Sequence, residues 1–332
     1  MRQKAGPLAG RHEESRLTDD LTNEQPHPEA GETAPGATRS GFVALLGAPN
    51  AGKSTLVNQL VGTKVSIVTH KVQTTRALVR GIAIRDNAQI VFVDTPGVFN
   101  PKRRLDRAMV RTAWGGAKDA DIVLPIVDAQ RGISDEVEAI LERLKDVKQP
   151  KVLLLNKVDQ IKREKLLGLT QEISAKGDFE RVFMISALTG SGCDDLMAFL
   201  AQRLPEGPWY YPEDQISDLP LRQLAAEITR EKLFLRLHQE IPYASTVETE
   251  LWETRPDGSV RIEQTIYVER DSQKAIVLGH KGETVKAIGQ AARKEIAEAA
   301  EQKVHLFLFV KVRENWGDDP ERYREMGLDY SS

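Results

Sequence analysis

The residues best suited to chemistry form a glycine-rich run, Gly47-Ala48-Pro49-Asn50-Ala51-Gly52-Lys53-Ser54, with the pattern G-x-x-x-x-G-K-[ST]. A short apolar run precedes it and a helical pattern follows it. Glycines let backbone N–H groups converge on phosphate oxygens, and the start of a helix adds positive potential. In such a loop, Lys53 reaches the β- and γ-phosphates and the Ser54 hydroxyl coordinates Mg²⁺. The run predicts a nucleoside triphosphate site contacted by Asn50, Ala51, Gly52, Lys53, Ser54 and Thr55.

A second polar run, Asp94-Thr95-Pro96-Gly97, ends the apolar pattern Ile90–Val93. An aspartate there holds Mg²⁺ through water, and the Gly97 N–H contacts the γ-phosphate. Between the two runs lies Gln73-Thr74-Thr75-Arg76, where a threonine completes the Mg²⁺ shell only while the γ-phosphate is present. We favour Thr75, with Thr74 as the alternative. The predicted Mg²⁺ ligands are Ser54, Thr75 and, through water, Asp94.

The residue after Gly97 is Val98, where Ras-like GTPases place the glutamine that orients the attacking water. Valine has no polar group for this task, so the sequence predicts slow hydrolysis or help from another group. Asn50 is a candidate, through a monovalent cation such as K⁺ held near the β- and γ-phosphates. The predicted catalytic residues are Lys53, Thr75 and Asn50.

The run Asn156-Lys157-Val158-Asp159 follows another apolar pattern and predicts the base. The Asp159 carboxylate can accept from the two N–H donors on the Watson–Crick edge of guanine, and adenine would leave it unpaired. Asn156 is expected to tie this loop to the phosphate loop, and the stem of Lys157 to cover the base. Ser186 and Ala187, after the next strand pattern, are expected to offer backbone N–H groups to the guanine O6. The predicted nucleotide is GTP or GDP.

A further candidate is Gly279-His280-Lys281-Gly282, which lies between two helical patterns. This G-x-x-G arrangement is typical of KH domains, whose groove takes about four unpaired nucleotides. From residue 272 to residue 294 there are five lysines or arginines and one acidic residue, Glu283. Such a local basic patch favours phosphates. The predicted RNA-binding residues are Lys274, Gly279, His280, Lys281, Gly282, Lys286 and Arg293.

The elements that position these residues follow from hydrophobic patterning. Five short, nearly continuous apolar runs alternate with helical patterns up to about residue 204, which predicts a parallel sheet with ligands at the carboxyl ends of its strands. The second half has the order α-β-β-α-α-β, with a hairpin at Arg255-Pro256-Asp257-Gly258. The predicted fold is an α/β, Ras-like P-loop GTPase domain followed by a small α+β, type II KH domain.

Length and composition are compatible with this division. The chain has 332 residues, a net charge of −3 and one cysteine, so no intramolecular disulfide is possible and a cytosolic protein is expected. No apolar stretch is long enough to span a bilayer, and no signal peptide is recognisable. We predict a disordered tail over residues 1–40, a GTPase domain over 41–206, a linker over 207–219, a KH domain over 220–316 and a C-terminal tail over 317–332.

Taken together, these motifs resemble those of the Era family of bacterial GTPases, over about residues 41–316. The most specific parts are the runs described above, together with Pro212-Glu213-Asp214-Gln215 and Arg270-Asp271-Ser272-Gln273-Lys274. Ala48 and Ala51 depart from the arginine and valine that are frequent in the family, and the 40-residue N-terminal tail is not part of its usual pattern.

The resemblance implies a function in assembly of the small (30S) ribosomal subunit. A KH groove would hold the single-stranded 3′ end of 16S rRNA, and GTP would control that grip. It also implies possible peripheral association with the inner membrane, and no obligate protein oligomer is expected. Two alternatives remain open. One is a nucleotide-gated RNA-binding module with negligible turnover, and the other is a different RNA-directed GTPase.

Overall fold

The computed structural model describes residues 37–330, all of which belong to one compact unit. The disordered tail predicted for residues 1–40 falls almost entirely outside the described residues. Its last two residues do not belong to a tail, because Arg39 and Ser40 already pair with Ala88 and Gln89 in the first sheet.

The first sheet and its helices occupy the first two thirds of the chain. In order they are β1 (Arg39–Leu46), α1 (Lys53–Val61), β2 (Val79–Arg85), β3 (Ala88–Asp94), α2 (Arg104–Asp119), β4 (Ile122–Asp128), α3 (Asp135–Leu144), β5 (Val152–Asn156), α4 (Arg163–Ser174), β6 (Arg181–Met184) and α5 (Cys193–Arg203). The six strands lie in the order β2-β3-β1-β4-β5-β6, and β2 alone runs antiparallel to its neighbour. This is the predicted Ras-like arrangement.

The central strands are apolar along almost their whole length because helices cover both faces of the sheet. Every residue of β3, β4 and β5 is buried. The sequence patterns missed β2, which is an edge strand containing Gly81 and two arginines. A Cβ at Gly81 would lie 2.9 Å from a methyl group of Val57 and 2.8 Å from one of Val61, so the glycine lets α1 pack closely on this strand.

The segment after α5 was predicted to be a stiff linker, and it lies along the first sheet. Ser40 N donates to Pro205 O at 3.2 Å, and Gln89 Oε1 accepts from the backbone of Tyr210 and Tyr211. Further along, Ile82 N of β2 donates to Ile216 O at 2.9 Å. The linker is therefore held to the sheet by backbone hydrogen bonds.

The second half of the chain contains α6 (Leu221–Arg236), β7 (Ser245–Thr254), β8 (Val260–Val268), α7 (Asp271–Leu278), α8 (Glu283–Ala299) and β9 (Val304–Val312). The sheet order is β7-β8-β9, antiparallel between the first two strands and parallel between the last two. Apolar residues of α6 and α8 pack on one face of β8. The predicted α-β-β-α-α-β order of a type II KH domain is confirmed.

The C-terminal segment differs from the predicted tail. It contains a further helix, α9 (Pro320–Glu325), and its Trp316, Tyr323 and Leu328 are buried against Leu105 and Met109 of α2. Large apolar side chains anchor the segment, which sequence periodicity alone does not reveal in six helical residues. Within the part of the chain that the structure describes, no helix is long and apolar enough to cross a membrane.

Candidate nucleotide site and RNA-binding loop

The phosphate loop connects β1 to α1 and lines a cavity of about 370 Å³. Gly52 has φ = +100°, and a Cβ there would lie 2.2 Å from Asn156 Nδ2, so the position requires glycine. Lys53 is the first residue of α1 and is buried. Its ammonium group donates to Gly47 O at 3.1 Å and to Ala48 O at 3.0 Å. Burial lowers the pKa of Lys53 to about 8.

The three predicted Mg²⁺ ligands lie together beside this loop. Ser54 Oγ is 2.6 Å from Asp94 Oδ2 and 2.9 Å from Thr75 Oγ1. Thr74 points elsewhere, with its hydroxyl bonded to Thr69 and to Lys71 O. The geometry therefore places Thr75 rather than Thr74 at this position.

Asp94 provides a test of whether the site fits a cation. It is fully buried, its Oδ1 has no hydrogen-bond partner within the described structure, and burial raises its pKa. An unpartnered, buried carboxylate oxygen is costly unless a cation binds it. Hard oxygen donors of this kind suit Mg²⁺, which usually keeps several waters and phosphate oxygens as its other ligands. Among residues 37–330 no three His, Cys, Asp or Glu side chains group into an alternative metal site.

Two residues that support this cluster were missed by sequence reasoning. Ser66 Oγ donates to Asp94 Oδ2 at 2.6 Å, and the side chain of Asn58 bonds both the N–H and the C=O of Ser66. Asn58 therefore ties α1 to the segment that follows it. Neither residue belongs to a recognisable motif, and the contacts depend on how that segment folds back over the sheet.

Gly97 and Val98 lie against the phosphate loop. A Cβ at Gly97 would be 3.0 Å from Pro49 N, so only glycine approaches the loop this closely. Val98 N donates to Gly47 O at 3.0 Å, and the Val98 side chain is buried in the hydrophobic core cluster that also contains Trp114. Its apolar side chain therefore cannot orient water. Asn50 Nδ2 donates to His70 O at 2.9 Å, and its predicted role with K⁺ stays a prediction.

The loop after β5 contains the predicted base-binding residues. Asn156 Nδ2 donates to Ala51 O at 2.8 Å, which ties this loop to the phosphate loop as expected from the sequence. Lys157 has φ = +65°, and its ammonium group lies 2.6 Å from Asp128 Oδ2. Asp159 is exposed in the single 3₁₀ turn that follows. Because its carboxylate is exposed, Asp159 is available to a guanine edge.

The expected role of Ser186 and Ala187 needs correction in one respect. Ser186 N already donates to Ser191 O at 2.9 Å, and Ala187 N donates to Asn156 Oδ1 at 2.9 Å. Both N–H groups are used within the protein, so neither is a free donor for the guanine O6. The tight turn after β6 accounts for Ser186, because it brings Ser191 back onto it. Ala187, through its N–H, instead positions the Asn156 side chain.

The Gly279–Gly282 loop joins α7 to α8 and has the strained backbone that its glycines imply. Gly279 has φ = +72° and Gly282 φ = +81°. A Cβ at Gly279 would lie 2.1 Å from Thr284 Oγ1, whereas a Cβ at Gly282 would meet nothing within 4 Å. Lys281, between them, is exposed and also left-handed, with φ = +49°. The loop therefore presents backbone and cationic side chains to solvent.

The predicted RNA-binding side chains lie on this loop and on the two helices that it joins. His280, Lys281, Lys286 and Arg293 are exposed, and Lys274 is half-buried on α7. Lys286 and Arg293 are seven residues apart on α8 and share one face. Phe307 and Phe309 are 44% and 47% exposed on β9. The arrangement supplies cations and close backbone approach, as single-stranded RNA binding requires.

Residues 64–76, here called the switch segment, connect the metal site to the second domain. Arg76 follows Thr75 directly, yet its side chain is buried in the C-terminal domain. Its guanidinium donates to Ser245 O at 2.9 Å and to Pro242 O at 3.3 Å, and lies over the rings of Phe234 and Trp316. Burial lowers the pKa of Arg76 to about 9, so it keeps its charge at neutral pH.

Other contacts extend along the same segment. Lys71 Nζ donates to the carbonyls of Phe234 and Leu237 at the end of α6, and Arg230 of α6 donates back to Thr74 O. Glu231 of α6 accepts from Val68 N at 2.8 Å and pairs with Lys64 at 2.7 Å. These contacts, with those of Arg76, form what we call the interdomain contact. It holds the switch segment against α6 at several positions.

Comparisons with known proteins agree with this geometry. The family described as 50S ribosome-binding GTPase matches residues 42–157, and the KH domain family matches residues 240–317. The GTPase Era of Mesorhizobium japonicum is 77% identical over 302 residues, which cover 91% of this chain and 97% of that protein. The GTPase Era of Brucella suis is 76% identical over 303 residues, covering 91% of this chain and 97% of that protein.

A solved structure is similar over both domains. It is Era in complex with MgGDPNP and nucleotides 1506–1542 of 16S ribosomal RNA, with a TM-score of 0.84 and 39% identity, covering 89% of this chain and 100% of that one. The first domain carries a phosphate loop, a Mg²⁺-compatible cluster and a guanine-type loop, and the second carries a G-x-x-G loop. With relatives this similar over nearly their whole length, the chain belongs to the Era family of GTPases.

Proposed function

We propose that this GTPase is a switch whose nucleotide state controls how the Gly279–Gly282 loop grips the single-stranded 3′ end of 16S rRNA, and that it assists assembly of the small ribosomal subunit. One observation carries the proposal. Thr75 and Arg76 are neighbours in sequence, but Thr75 lies at the metal site and Arg76 is buried in the C-terminal domain. A displacement of the backbone at Thr75 is therefore expected to displace Arg76 as well.

The chain's own groups account for nucleotide binding and cleavage. Lys53 is placed to neutralise the β- and γ-phosphates, and the N–H groups at the start of α1 point to the same place. Ser54, Thr75 and, through water, Asp94 would hold Mg²⁺, which when bound neutralises charge on the phosphate oxygens. Since Val98 is packed in the core, hydrolysis would depend on positioning and electrostatics, and the reaction would be slow.

The link to RNA follows from the switch segment. Thr75 would bind Mg²⁺ only while the γ-phosphate is also present, so hydrolysis would release the threonine. Because Arg76 is anchored among the carbonyls before β7 and the ring of Phe234, release would shift α6 and the domain built on it. The G-x-x-G loop belongs to that domain. GTP binding and RNA binding would thus be linked reciprocally.

Support for the RNA target comes from the solved relative, which holds Mg-GDPNP and a 16S rRNA fragment in one molecule. The 50S ribosome-binding description belongs to a family model that matches the first domain alone. A small-subunit RNA held by the second domain is compatible with both. The proposed division of the chain keeps the linker over 207–219 and the KH domain over 220–316. The GTPase domain runs to residue 206 and starts at Arg39, where β1 begins, rather than at residue 41.

We place the protein in the cytoplasm, where ribosomal subunits are assembled. Peripheral association with the inner membrane stays a prediction of the family resemblance. For the nucleotide site, the proposed contacts are those expected from the sequence, except that Ala187 acts through Asn156 and the Ser186 N–H is used in the turn after β6.

Fluorescence anisotropy of a labelled 16S 3′-end oligonucleotide tests the proposal, with GDP or a non-hydrolysable GTP analogue present. Lys53→Ala should abolish the difference between the two nucleotides. Gly282→Asp should weaken RNA binding at least tenfold and leave GTP affinity unchanged. The fold should tolerate this aspartate, because residue 282 faces open space and aspartate accepts left-handed φ more readily than most residues.

Gly258→Asp is a matched control. Gly258 also has a left-handed φ, of +76°, and open space around it, but it lies in the β7–β8 hairpin. The Gly258→Asp variant should bind RNA with the same affinity as the unaltered protein. Loss of both GTP and RNA binding in Gly282→Asp would indicate misfolding, and unchanged RNA binding would contradict the proposed groove.

A second candidate function is a nucleotide-gated RNA-binding module with negligible turnover, which the buried Val98 favours. Multiple-turnover GTP hydrolysis with and without the oligonucleotide or 30S subunits separates the two. Stimulation by either component supports a cycling GTPase. Release of no more than one phosphate per protein under all conditions would support the module.

A further inference from the structure

Asp128 is a buried carboxylate beside the base-binding loop and belongs to none of the motifs recognised in the sequence. It is the last residue of β4, is 6% exposed, and pairs in register with Asn156 of β5. Ala129 N donates to Asn156 O at 2.9 Å, which ties the two strand ends together. A charged side chain at such a depth requires partners.

The two oxygens of Asp128 have different partners. Oδ1 accepts from Gln130 N at 3.0 Å and from Arg131 N at 3.3 Å, which closes the turn after β4. Oδ2 lies 2.6 Å from Lys157 Nζ and 3.7 Å from Arg131 Nε. One oxygen therefore has a local structural role, whereas the other reaches the base-binding loop 29 residues away.

Lys157 benefits from this tether for two reasons. Its backbone is left-handed, with φ = +65°, which a non-glycine residue adopts at a cost. Its long side chain would otherwise sample many rotamers, and fixing a lysine costs up to about 2 kcal/mol of side-chain entropy. Lys157 and Arg131 both line the nucleotide cavity. The ion pair with Asp128 thus fixes the lysine stem as a wall of that cavity.

We infer that Asp128 is a positioning residue for guanine binding, which acts by holding the stem of Lys157 against the face of the base. The inference rests on the proposed assignment of Asn156–Asp159 to guanine. The inference assigns two separate functions to the residues that surround the guanine base. Asp159 reads the hydrogen-bonding edge, whereas Asp128, through Lys157, pre-orders the surface on which the ring lies. Pre-ordering raises affinity without a new contact to the ligand.

Asp128→Asn separates the two roles. The amide oxygen can still accept the hydrogen bonds that close the turn, whereas the negative charge that pairs with the Lys157 ammonium group is lost. We expect GDP to bind about tenfold more weakly, with faster dissociation of a fluorescent GDP analogue. At saturating GTP, kcat should change less than twofold, since the substitution is remote from the γ-phosphate. Asp135→Asn, an exposed aspartate at the start of α3, is the control and should leave both quantities unchanged.

A double-mutant cycle with Lys157→Met tests whether Asp128 acts through the lysine. Methionine keeps an unbranched stem and removes the ammonium group. In the Lys157→Met background, Asp128→Asn should cost less than twofold further in GDP affinity. A full, independent tenfold loss in that background would overturn the inference, and so would an unchanged GDP affinity in the single Asp128→Asn variant.

Inosine diphosphate, which lacks the exocyclic amine of guanine, distinguishes failure of this inference from failure of the guanine assignment. The preference for GDP over inosine diphosphate should be the same in Asp128→Asn and in the unaltered protein, because Asp159 sets it. A collapse of this preference in the variant would show a general structural role and overturn the inference. An unaltered protein without any preference would instead remove the guanine assignment itself.

Discussion

The nucleotide site and the interdomain contact are built in different ways. The nucleotide site draws on short runs of sequence, each at the carboxyl end of a strand, so the chemistry of each run is visible in the sequence. The interdomain contact joins residues that are distant along the chain. Arg76 and Ser245, for example, are 169 positions apart. The nucleotide site is therefore a property of local motifs, whereas the interdomain contact exists only when the two domains are docked.

The two regions also differ in whether their buried polar groups already have hydrogen-bond partners within the protein. At the nucleotide site, Asp94 Oδ1 is buried without a partner within the described structure, which suits a cation. At the interdomain contact, Arg76 donates to main-chain carbonyls and Glu231 accepts from a main-chain N–H. The nucleotide site is thus prepared for a ligand. At the interdomain contact the terminal nitrogens of Arg76 and the carboxylate of Glu231 already have partners, and only Arg76 Nε has none within the described structure, so we expect the contact to transmit displacement.

Asp159→Asn should have the largest effect, and only on the nucleotide. The asparagine amide offers a donor where the guanine edge needs an acceptor, so GTP affinity should fall about 10³-fold or more. Xanthosine triphosphate, which has a carbonyl in place of the exocyclic amine, should bind better than GTP. Equilibrium titration of both nucleotides measures this. Asp195→Asn, an exposed aspartate on α5, is the control, and retained GTP affinity in Asp159→Asn would remove the guanine assignment.

Arg76→Ala should affect stability most among changes at the interdomain contact. It leaves several carbonyls without their charged donor and empties the space beside Phe234 and Trp316, so the free energy of unfolding should fall by about 2–4 kcal/mol. Denaturant unfolding measures the loss. Arg80→Ala removes an arginine that pairs with Asp218 at 2.6 Å and is 40% exposed, and it should cost less than about 1 kcal/mol. Equal losses in the two variants would contradict a special role for Arg76.

Nucleotide binding should take up a proton near pH 8. Burial lowers the pKa of Lys53 to about 8 in the free protein, and bound phosphates favour the charged lysine. Above pH 8 the free lysine is largely neutral, so GDP affinity should fall by up to about tenfold per pH unit. Calorimetry in buffers of different ionisation enthalpy measures the uptake. The uptake should be small at pH 7, and no uptake at pH 8.5 would contradict the lowered pKa of Lys53 in the free protein.

Glu231→Gln should have the smallest effect. Glutamine can still accept from Val68 N but loses the ion pair with Lys64, whose side chain is 30% exposed. We expect the free energy of unfolding to fall by about 1 kcal/mol, with a smaller difference at high salt. Denaturant unfolding at low and high ionic strength checks this. A loss as large as that of Arg76→Ala would shift the centre of the interdomain contact to Glu231.

Much of the fold could be predicted from the sequence because local rules and tertiary structure agree. Apolar runs became the buried strands β1, β3, β4 and β5, and the order of elements in the second half was predicted correctly. The strand β2 was missed, since glycine and arginines in an edge strand leave no clear pattern. The packing of α9 on α2 was missed as well, because a six-residue helix has too few turns to show periodicity.

The residues of the nucleotide site also fall into those that could be predicted from the sequence and those that could not. The residues in motifs could be predicted because glycine, lysine and aspartate at these fixed spacings indicate binding of phosphate, Mg²⁺ and guanine. Ser66, Asn58 and Asp128 were not found, since their partners lie on other loops. The amides of Ser186 and Ala187 were assigned to the base, but the turn after β6 uses the first and the Asn156 side chain uses the second. Sequence reasoning thus named the groups predicted to contact the ligand, and of the groups that position them it found Asn156 but missed Ser66, Asn58 and Asp128.

The central claim is that the switch segment transmits the nucleotide state to the RNA-binding domain through Arg76. The most direct test is the affinity for the 16S 3′-end oligonucleotide with a GTP analogue relative to that with GDP, measured in the unaltered protein, in Arg76→Ala and in the Arg80→Ala control. We predict a ratio of about tenfold or more in the unaltered protein and the control, and a ratio near one in Arg76→Ala with nucleotide affinity retained. An unchanged ratio in Arg76→Ala would contradict the account.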